Sequence, residues 1–369
     1  MNNIKIKSPK LLLKEVIRKP AMKLYNLIVK HSTDQYFLLI TLQYIEIAKV
    51  RYGIKLLRQI RALYGETAHV FLVRGATGDV YLVNCLIKKY CYLHKIDKYV
   101  MVGDGKGLRE VSNLFFEDHI YALPRWKASC LQSVYKLCGE QPLNMTDLFM
   151  WQHSLYFNRC RLRMEERFNF MDTYQWYVFG FSEIQKLSYP PVLSVHESDI
   201  QRWNLNGISK GRTVVISPHA YSVECLDQAF WRLVVNKLKN KGYNVVFSIN
   251  TNKETCPFPG EHCYFANYEE IVPMLNYAGF FIAVRSGLCD IVSQSSCKMV
   301  ILYPMKRKVN NYNEHRSDID FAGLKAMGLN KNAIEIETRL LKNKDIDESG
   351  MIDIKEESFE LTEKIVACF

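Results

Sequence analysis

Short apolar runs alternate with glycine turns and amphipathic stretches from residue 68 onward. His69–Arg74 is a β run, Val80–His94 is helical, and Lys98–Val102 is a second β run that ends in glycines. Strand, glycine turn, helix and strand in this order predict a βαβ unit with a parallel sheet. A helix near Leu108–Phe116 and a short strand at Ile120–Leu123 continue the alternation, and residues 125–190 look irregular and rich in aromatic side chains.

A second series of the same kind begins after residue 210. Its predicted strands are short and continuously apolar, as expected when helices cover both faces of a parallel sheet. These strands are Arg212–Ser217, Asn244–Ser248, Phe280–Val284 and Lys298–Tyr303. The helices predicted between and after them are Gln228–Lys239, Tyr268–Ala278 and Leu288 to about Ser295. Tyr189 to about Lys210 is predicted to link the two series.

The first 65 or so residues have a different pattern, with helical spacing and basic residues about three times as frequent as acidic ones. They are predicted either to rest on an anionic membrane surface or to pack on the following domain as a solvated extension. The predicted fold class is therefore α/β, with two Rossmann-like domains and a basic helical N-terminal extension. The predicted boundaries are 1–66 for the extension, 67–200 and 211–340 for the two domains, and 341–369 for a tail with a helix.

Composition narrows the choice of partners only in part. The chain has 369 residues, 48% hydrophobic and 24% charged, with a net charge of +11, which suits two globular domains with a basic surface. Such a surface attracts nucleic acid, anionic lipid or phosphorylated substrates. No RRM, KH or helix-turn-helix signature is present, so nucleic acid is not a predicted partner.

The cellular location and the state of the cysteines are predicted from the lack of a signal peptide, of a membrane-spanning stretch and of zinc-type cysteine pairs. Lysines interrupt the N-terminal apolar runs before a signal peptide could form, and no stretch reaches about 18 apolar residues. The 11 cysteines include no C-x-x-C pair, and the two closest spacings, Cys85/Cys91 and Cys256/Cys263, do not resemble a zinc site. We expect free, buried thiols and a cytoplasmic protein.

The strongest chemical signal is the segment Val284–Asp290, which follows a buried strand and opens a helix. A helix N-terminus presents unpaired N–H groups and a partial positive charge. Ser286 and Gly287 would let the backbone approach a phosphate, and Arg285 would add a full charge. The segment predicts a phosphate site; a tight turn with a capping serine is the alternative. The predicted donor-binding residues here are Arg285, Ser286, Gly287, Leu288 and Asp290.

Other polar residues follow neighbouring strands of the same half and are predicted to face the same ligand. Ser217, His219 and Ser222 follow the first strand, with His219 or Ser222 on a phosphate oxygen. Asn250 follows the next strand and could reach ribose hydroxyls. A lone histidine is more often structural, so a structural role for His219 is the alternative.

In the N-terminal half, Gly75–Asp79 follows the first strand. It is not a G-x-G-x-x-G motif and lacks the downstream acid expected for a ribose, so NAD binding is not predicted. Asp79 would lie in the first turn of a helix, beside Thr77 and Gly78. Two roles are equally favoured for it: a first-turn capping carboxylate, or a general base that deprotonates an acceptor hydroxyl across an interdomain cleft.

Two Asp-Ile-Asp triplets, Asp318–Asp320 and Asp345–Asp347, could suggest a metal site. Neither follows an apolar strand, and the second lies in a polar, acidic tail. Solvated loops are the better interpretation. No metal and no other cofactor is predicted.

Two segments resemble the heptosyltransferase-type glycosyltransferases of the GT-B fold. The sequence VRGATGDV at Val73–Val80 is similar to the first strand and Gly-Asp-Val turn of that family. Asn267–Pro304 resembles its donor segment, where an (N/T)D(S/T)G turn and a helix hold the nucleotide diphosphate. Arg285 departs from the family, which usually has an acid there, and is closer to the phosphate-binding segment of GDP-fucose-type transferases.

The resemblance implies an inverting, metal-independent transferase that moves a sugar from a nucleotide-sugar to a glycan or lipid-linked glycan in bacterial surface polysaccharide synthesis. Asp79 would match the base, Ser286 and Gly287 the phosphate-binding positions, and Thr77 and Gly78 would lie on the acceptor side. The N-terminal domain would bind the acceptor and the C-terminal domain the donor. The basic extension suits work at the inner face of a membrane. The alternatives are a GT-B-like nucleotide-sugar epimerase, or a non-enzymatic basic protein that binds nucleic acid or a membrane surface.

Overall fold

The computed structural model describes residues 35–139, 143–148, 168–220, 226–251, 256, 258–304, 318–338 and 350–369. Ser222, the helices predicted before residue 35, and Asp345–Asp347 lie outside these ranges. The described residues form two compact units. The first lies within residues 1–75, 90–109 and 117–149, and the second within 76–89, 110–116 and 150–369.

Ten strands are described: β1 His69–Val73, β2 Tyr99–Asp104, β3 Ile120–Leu123, β4 Met145–Asp147, β5 Thr213–Ser217, β6 Asn244–Ser248, β7 His262–Tyr264, β8 Gly279–Val284, β9 Lys298–Pro304 and β10 Ile334–Thr338. The described helices are α1 Gln35–Tyr64, α2 Thr77–Leu93, α3 Gly105–Asn113, α4 Arg125–Cys138, α5 Phe170–Asp172, α6 Glu197–Leu205, α7 Gln228–Asn240, α8 Tyr268–Ala278, α9 Gly287–Ile291, α10 Asp318–Ala322 and α11 Gly350–Ala367. A π-helical turn, Thr173–Val178, continues α5.

The first unit contains a four-stranded parallel sheet in the order β3-β2-β1-β4. Its central strand β1 is buried along its whole length. The expectation of irregular structure from residue 125 was wrong for this part, because α4 begins directly after Pro124. Ala128, Leu131 and Val134 recur every three residues and are buried, which is the pattern of one helix face.

The long helix α1 packs against α4. Leu56, Leu57 and Ile60 of α1 belong to the same apolar cluster as Leu131 of α4. The backbones approach closely at Gly53, where an added Cβ would stand 2.4 Å from the carbonyl oxygen of Cys130. The structure has one continuous helix over this stretch, in which Gly53 is used for helix packing and not for a break. Among the described residues no helix is both long and apolar enough to cross a membrane.

The second unit contains a six-stranded parallel sheet in the order β10-β9-β8-β5-β6-β7. The chain starts in the middle at β5, moves outward to β7, and then returns to β8 on the other side of β5. This is the strand order of dinucleotide-binding Rossmann domains. Together, the two parallel sheets with their helices confirm the predicted α/β fold class.

In the second unit one local expectation was wrong, and one predicted segment contains an additional helix. The predicted linker contains α6, which begins with a capping box between His196 and Asp199 and buries Trp203. Cys256 and Cys263, expected as free thiols, form a disulfide with Cα atoms 5.7 Å apart, because the β6–β7 connection brings Cys256 beside β7. The other cysteines in the described ranges are free.

Candidate functional site

The reversal of strand order in the second unit lies between β5 and β8. Ser217 at the end of β5 pairs in register with Ala283, two residues before Arg285. Ligands of open parallel sheets bind outside the carboxyl ends of the strands at such a reversal. The predicted residues at the ends of β5 and β8 therefore lie at the position where this fold binds ligands.

Residues 76–89, which include the N-terminus of α2, belong to the second unit. The start of α2 lies beside the turn that follows β8. A Cβ added at Gly287 would stand 2.5 Å from the backbone nitrogen of Gly78, and one at Gly78 would stand 2.4 Å from Oδ2 of Asp290. Only glycine at both positions permits this approach. The starts of α2 and α9 are thus in direct contact, and Thr77 Oγ1 lies 3.5 Å from the hydroxyl of Tyr268 at the start of α8.

Asp79 is 9% exposed and is held at both carboxylate oxygens. Its Oδ2 accepts a 2.8 Å hydrogen bond from the backbone N–H of Ala76, and its Oδ1 accepts a 2.7 Å bond from the hydroxyl of Tyr174. These two bonds orient the carboxylate of Asp79.

Arg285 forms a bidentate ion pair with Asp290 within the same turn. Its Nη2 donates to Oδ1 at 2.7 Å and its Nη1 to Oδ2 at 3.2 Å, while Nε donates to the carbonyl of Ala322 at 3.0 Å. Burial opposes the charge on the guanidinium, but the charge and hydrogen bonds of Asp290, together with Tyr303 and Cys289, raise the pKa of Arg285 above its ordinary value. The anionic partner that we expected from a ligand is therefore supplied by the protein.

Asp290 belongs to a compact group of buried charges. Burial raises its pKa, the Arg285 guanidinium opposes that effect, and the nearby Asp79 carboxylate adds to it. Two carboxylates and one guanidinium therefore meet at the starts of two helices, whose partial positive charge favours anions. The arrangement is suitable for a carboxylate base that lies next to a binding site for an anionic group.

The remaining predicted residues differ in their surroundings. Ser286 is half-buried and makes no capping hydrogen bond; its Oγ lies 3.9 Å from the thiol of Cys289. Leu288 is half-buried, Ser217 is buried, and His219 and Asn250 are exposed after β5 and β6. Ser222 lies outside the described residues.

Tyr174 is the residue of this group that the sequence did not single out. It lies in residues 125–190, which the sequence showed only as an irregular stretch rich in aromatic side chains. The structure places it, fully buried, in the π-helical turn Thr173–Val178. Such turns are frequent at functional sites, but one π-helical turn has no recognisable sequence pattern.

A group able to hold a metal ion is found elsewhere. Within the part of the chain that the structure describes, Glu117, Asp118 and His119 of the first unit are the set whose ligand atoms all lie within 4.8 Å of one another. Glu117 is buried and accepts a hydrogen bond from the hydroxyl of Tyr99. Asp118 and His119 are exposed, and Oδ1 of Asp118 lies 2.9 Å from Nδ1 of His119.

Comparison with known proteins gives structural matches alone. No protein-family model matches the sequence, and no curated protein is similar to it at the sequence level. The chain is similar in structure to the ADP-heptose lipopolysaccharide heptosyltransferase II of E. coli, with 14% identity, a TM-score of 0.49, and coverage of 82% of this chain and 98% of that one.

Two further matches are of the same type. A family 9 glycosyl transferase from Veillonella parvula has 12% identity and a TM-score of 0.45, over 80% of this chain and 99% of that one. The E. coli heptosyltransferase WaaC with ADP has 11% identity and a TM-score of 0.39, over 79% and 99%. These are proteins of the kind that the sequence motifs resemble. At this level of similarity they do not establish the reaction, which has to be argued from the residues of the site.

Proposed function

We propose that the protein is an inverting glycosyltransferase that uses a nucleotide-sugar donor. The observation that carries this proposal is the contact between the glycine-containing starts of α2 and α9 at the strand-order reversal of the second sheet. It brings a buried, oriented carboxylate, Asp79, to the edge where a Rossmann sheet binds nucleotides.

The donor would lie along the carboxyl edge of the second sheet. The diphosphate would bind the Ser286 hydroxyl and the first N–H groups of α9, at Gly287 and Leu288. Ser217 and His219 would border the phosphates, and Asn250 would face the ribose. The support is that these residues follow adjacent strands β8, β5 and β6, which are paired in register.

The chemical step is a displacement at the anomeric carbon. Asp79 accepts the proton of an acceptor hydroxyl, and the oxygen of that hydroxyl forms the new bond to the anomeric carbon. The bond from that carbon to the diphosphate oxygen breaks, and the nucleoside diphosphate leaves with the electron pair. Attack opposite the leaving group inverts the anomeric configuration.

Arg285 would act on the leaving group from within its ion pair. The guanidinium is fixed by Asp290 and by the carbonyl of Ala322, so its positive charge is oriented before the donor binds. Fixed charges aimed at developing negative charge stabilise a transition state without reorganisation. We propose that this cation takes the place of a divalent metal and that no metal or other cofactor is required.

For the acceptor, we propose a glycan or lipid-linked glycan of bacterial surface polysaccharide synthesis, bound through the N-terminal domain. The reaction would take place in the cytoplasm, at the inner face of a membrane. The support is the strongly basic sequence of the first 66 residues, because basic residues are attracted to anionic lipid headgroups.

The first experiment is a thermal-shift screen with GDP, UDP, ADP and CMP. A ligand at about 100 times its Kd adds about 2.7 kcal/mol of stability, which is a clear shift. The nucleotide found in this way selects the labelled nucleotide-sugar for a transfer assay. We expect transfer to continue in EDTA. Conversion of the donor to its epimer without an acceptor, or salt-dependent RNA affinity without nucleotide binding, would contradict the proposal.

The catalytic assignment is tested by Asp79→Asn, which keeps the shape of the side chain. We expect at least a 100-fold loss of kcat with little change in donor affinity, because general-base catalysis contributes about 100- to 10,000-fold. The matched control is Asp199→Asn. Asp199 also accepts the backbone N–H of the residue three positions earlier, but in α6. Full activity of Asp79→Asn would exclude the base, and equal losses in both variants would indicate a folding effect.

A further inference from the structure

Helix α1 has two different faces. Its inner face carries Ile45, Leu56, Leu57 and Ile60, which are buried in the first unit. Tyr52 on the same helix contacts the ring of Trp126 in α4, with 5.2 Å between ring centroids. The helix is therefore anchored to the unit along much of its length, and its outer face is presented on a rigid support.

The outer face carries a stripe of five exposed residues: Tyr44, Ile47, Arg51, Lys55 and Arg58. Their spacing of three or four positions places them on one side of a helix. The stripe is roughly 21 Å long at 1.5 Å per residue. Tyr44 is 55% exposed and Ile47 is 51% exposed, so two large apolar side chains lie beside the three basic ones on this face.

The basic residues of this outer stripe have no acidic partner among the residues that the structure describes. Within the described ranges none of its three basic residues forms an ion pair. The nearby acid Glu46 points to the other side of α1, where it binds Lys49 and the hydroxyl of Ser133 in α4. The outer stripe thus combines two exposed apolar residues with three free cations.

We propose that the outer stripe docks on an anionic lipid bilayer. Charge complementarity is the argument for this partner: basic residues are attracted to anionic headgroups, and the exposed Tyr44 and Ile47 can enter the interface beside them. A nucleic acid could bind the three basic residues, but unlike a bilayer it has no apolar layer into which Ile47 could insert. Residues 1–34 add eight basic residues against two acidic ones to the same end of the chain.

This inference names the surface that would hold the protein at the membrane location proposed above. It does not depend on the transferase activity, because vesicle binding is measured without donor or acceptor. Failure of one proposal therefore leaves the other standing.

The experiment is co-sedimentation of the full chain with vesicles of phosphatidylethanolamine and 30% phosphatidylglycerol. The test variant is Arg51→Gln, Lys55→Gln, Arg58→Gln. Each basic residue near an anionic surface contributes about 1 kcal/mol, so the triple variant should partition about 100-fold less strongly at low salt. Tyr44→Ser with Ile47→Ser should weaken binding without changing its salt dependence.

The matched control replaces three exposed lysines of the second unit by glutamine: Lys298, Lys325 and Lys331. It removes the same charge and should bind vesicles like the native protein. Equal losses in both triple variants would show that net charge alone is responsible and would overturn the assignment to the outer stripe. Native-like binding of the Arg51/Lys55/Arg58 variant, or preference for RNA over anionic vesicles at equal salt, would also overturn it.

Discussion

At the scale of single residues, the surroundings of Asp79 matter more than its position at a helix start. A first-turn carboxylate that only caps its helix needs one backbone N–H, and Ala76 supplies it. The second bond, from the hydroxyl of Tyr174, comes from 95 residues away in the sequence. It is not needed for capping, and it fixes the orientation of the Asp79 carboxylate.

Tyr174→Phe tests whether Tyr174 positions Asp79. Loss of a hydrogen bond to a charged group removes about 1.5–3 kcal/mol of stabilisation. We expect kcat to fall about 10-fold and the acidic limb of the pH–rate profile to move to higher pH, with donor KM nearly unchanged. Steady-state kinetics from pH 5 to 9 measure all three.

The control is Tyr177→Phe, in the same π-helical turn but exposed at 40%. It should behave like the native enzyme. If Tyr174→Phe lost stability but kept both kcat and the position of the acidic limb, Tyr174 would be a packing residue without influence on Asp79.

The sequence identified most of the residues in this group but not their relations. Arg285 and Asp290 were both predicted to bind the donor, and the structure shows that they bind each other. Spacing did not show this, because the pair is five positions apart, where side chains on a regular helix do not meet. The ion pair forms because Arg285 lies in the turn before α9, where the backbone is not helical, while Asp290 lies within that short helix.

At the scale of elements, Glu270 joins α6, β7 and α8. Its Oε1 accepts from Trp203 Nε1 at 2.6 Å, from Arg202 Nη2 at 2.8 Å and from the hydroxyl of Tyr264 at 2.5 Å. Because Trp203 is buried, its N–H depends on this carboxylate. The contact holds the segment before β5 against the start of α8.

We expect Glu270→Gln to lower the free energy of unfolding by about 2 kcal/mol. The three donors would then face a neutral amide in place of a charged carboxylate, and the NH2 group of that amide cannot accept a hydrogen bond. Urea unfolding followed by circular dichroism measures this free energy. Glu269→Gln, at the exposed neighbouring position in the same first turn, should change stability by less than about 0.5 kcal/mol. Equal effects of the two variants would show that Glu270 has no special structural role.

Elements with a clear apolar pattern could be predicted from the sequence, and strands of three residues or with a polar pattern could not. Ile120–Leu123, Asn244–Ser248 and Tyr268–Ala278 were predicted with the bounds that the structure has. β4 and β7 have three residues each, too few for a pattern. β10 alternates isoleucine and glutamate at the edge of its sheet, so its polar residues concealed it.

At the scale of the molecule, the buried cysteines link folding to pH. Burial raises the pKa of Cys91 and Cys297 to about 12 and that of Cys130 to about 11. In the unfolded chain these thiols ionise near 8.5. Between these values the unfolded state binds fewer protons than the folded state, so stability must fall as pH rises. The loss is about 1.4 kcal/mol per pH unit for each such thiol.

We therefore expect the free energy of unfolding to decrease steeply from pH 9 to pH 11, measured by urea titration at each pH. Replacing Cys91, Cys130 and Cys297 by alanine should lower stability at pH 8, since cavities are created, but should flatten this decrease. Cys138→Ala is the matched control, because Cys138 is exposed and should leave the slope unchanged. An equally steep slope in the triple variant would mean that these three thiols do not cause the alkaline loss and that other buried groups do, such as Cys85, whose pKa burial also raises, or Tyr264, whose pKa burial raises to about 12.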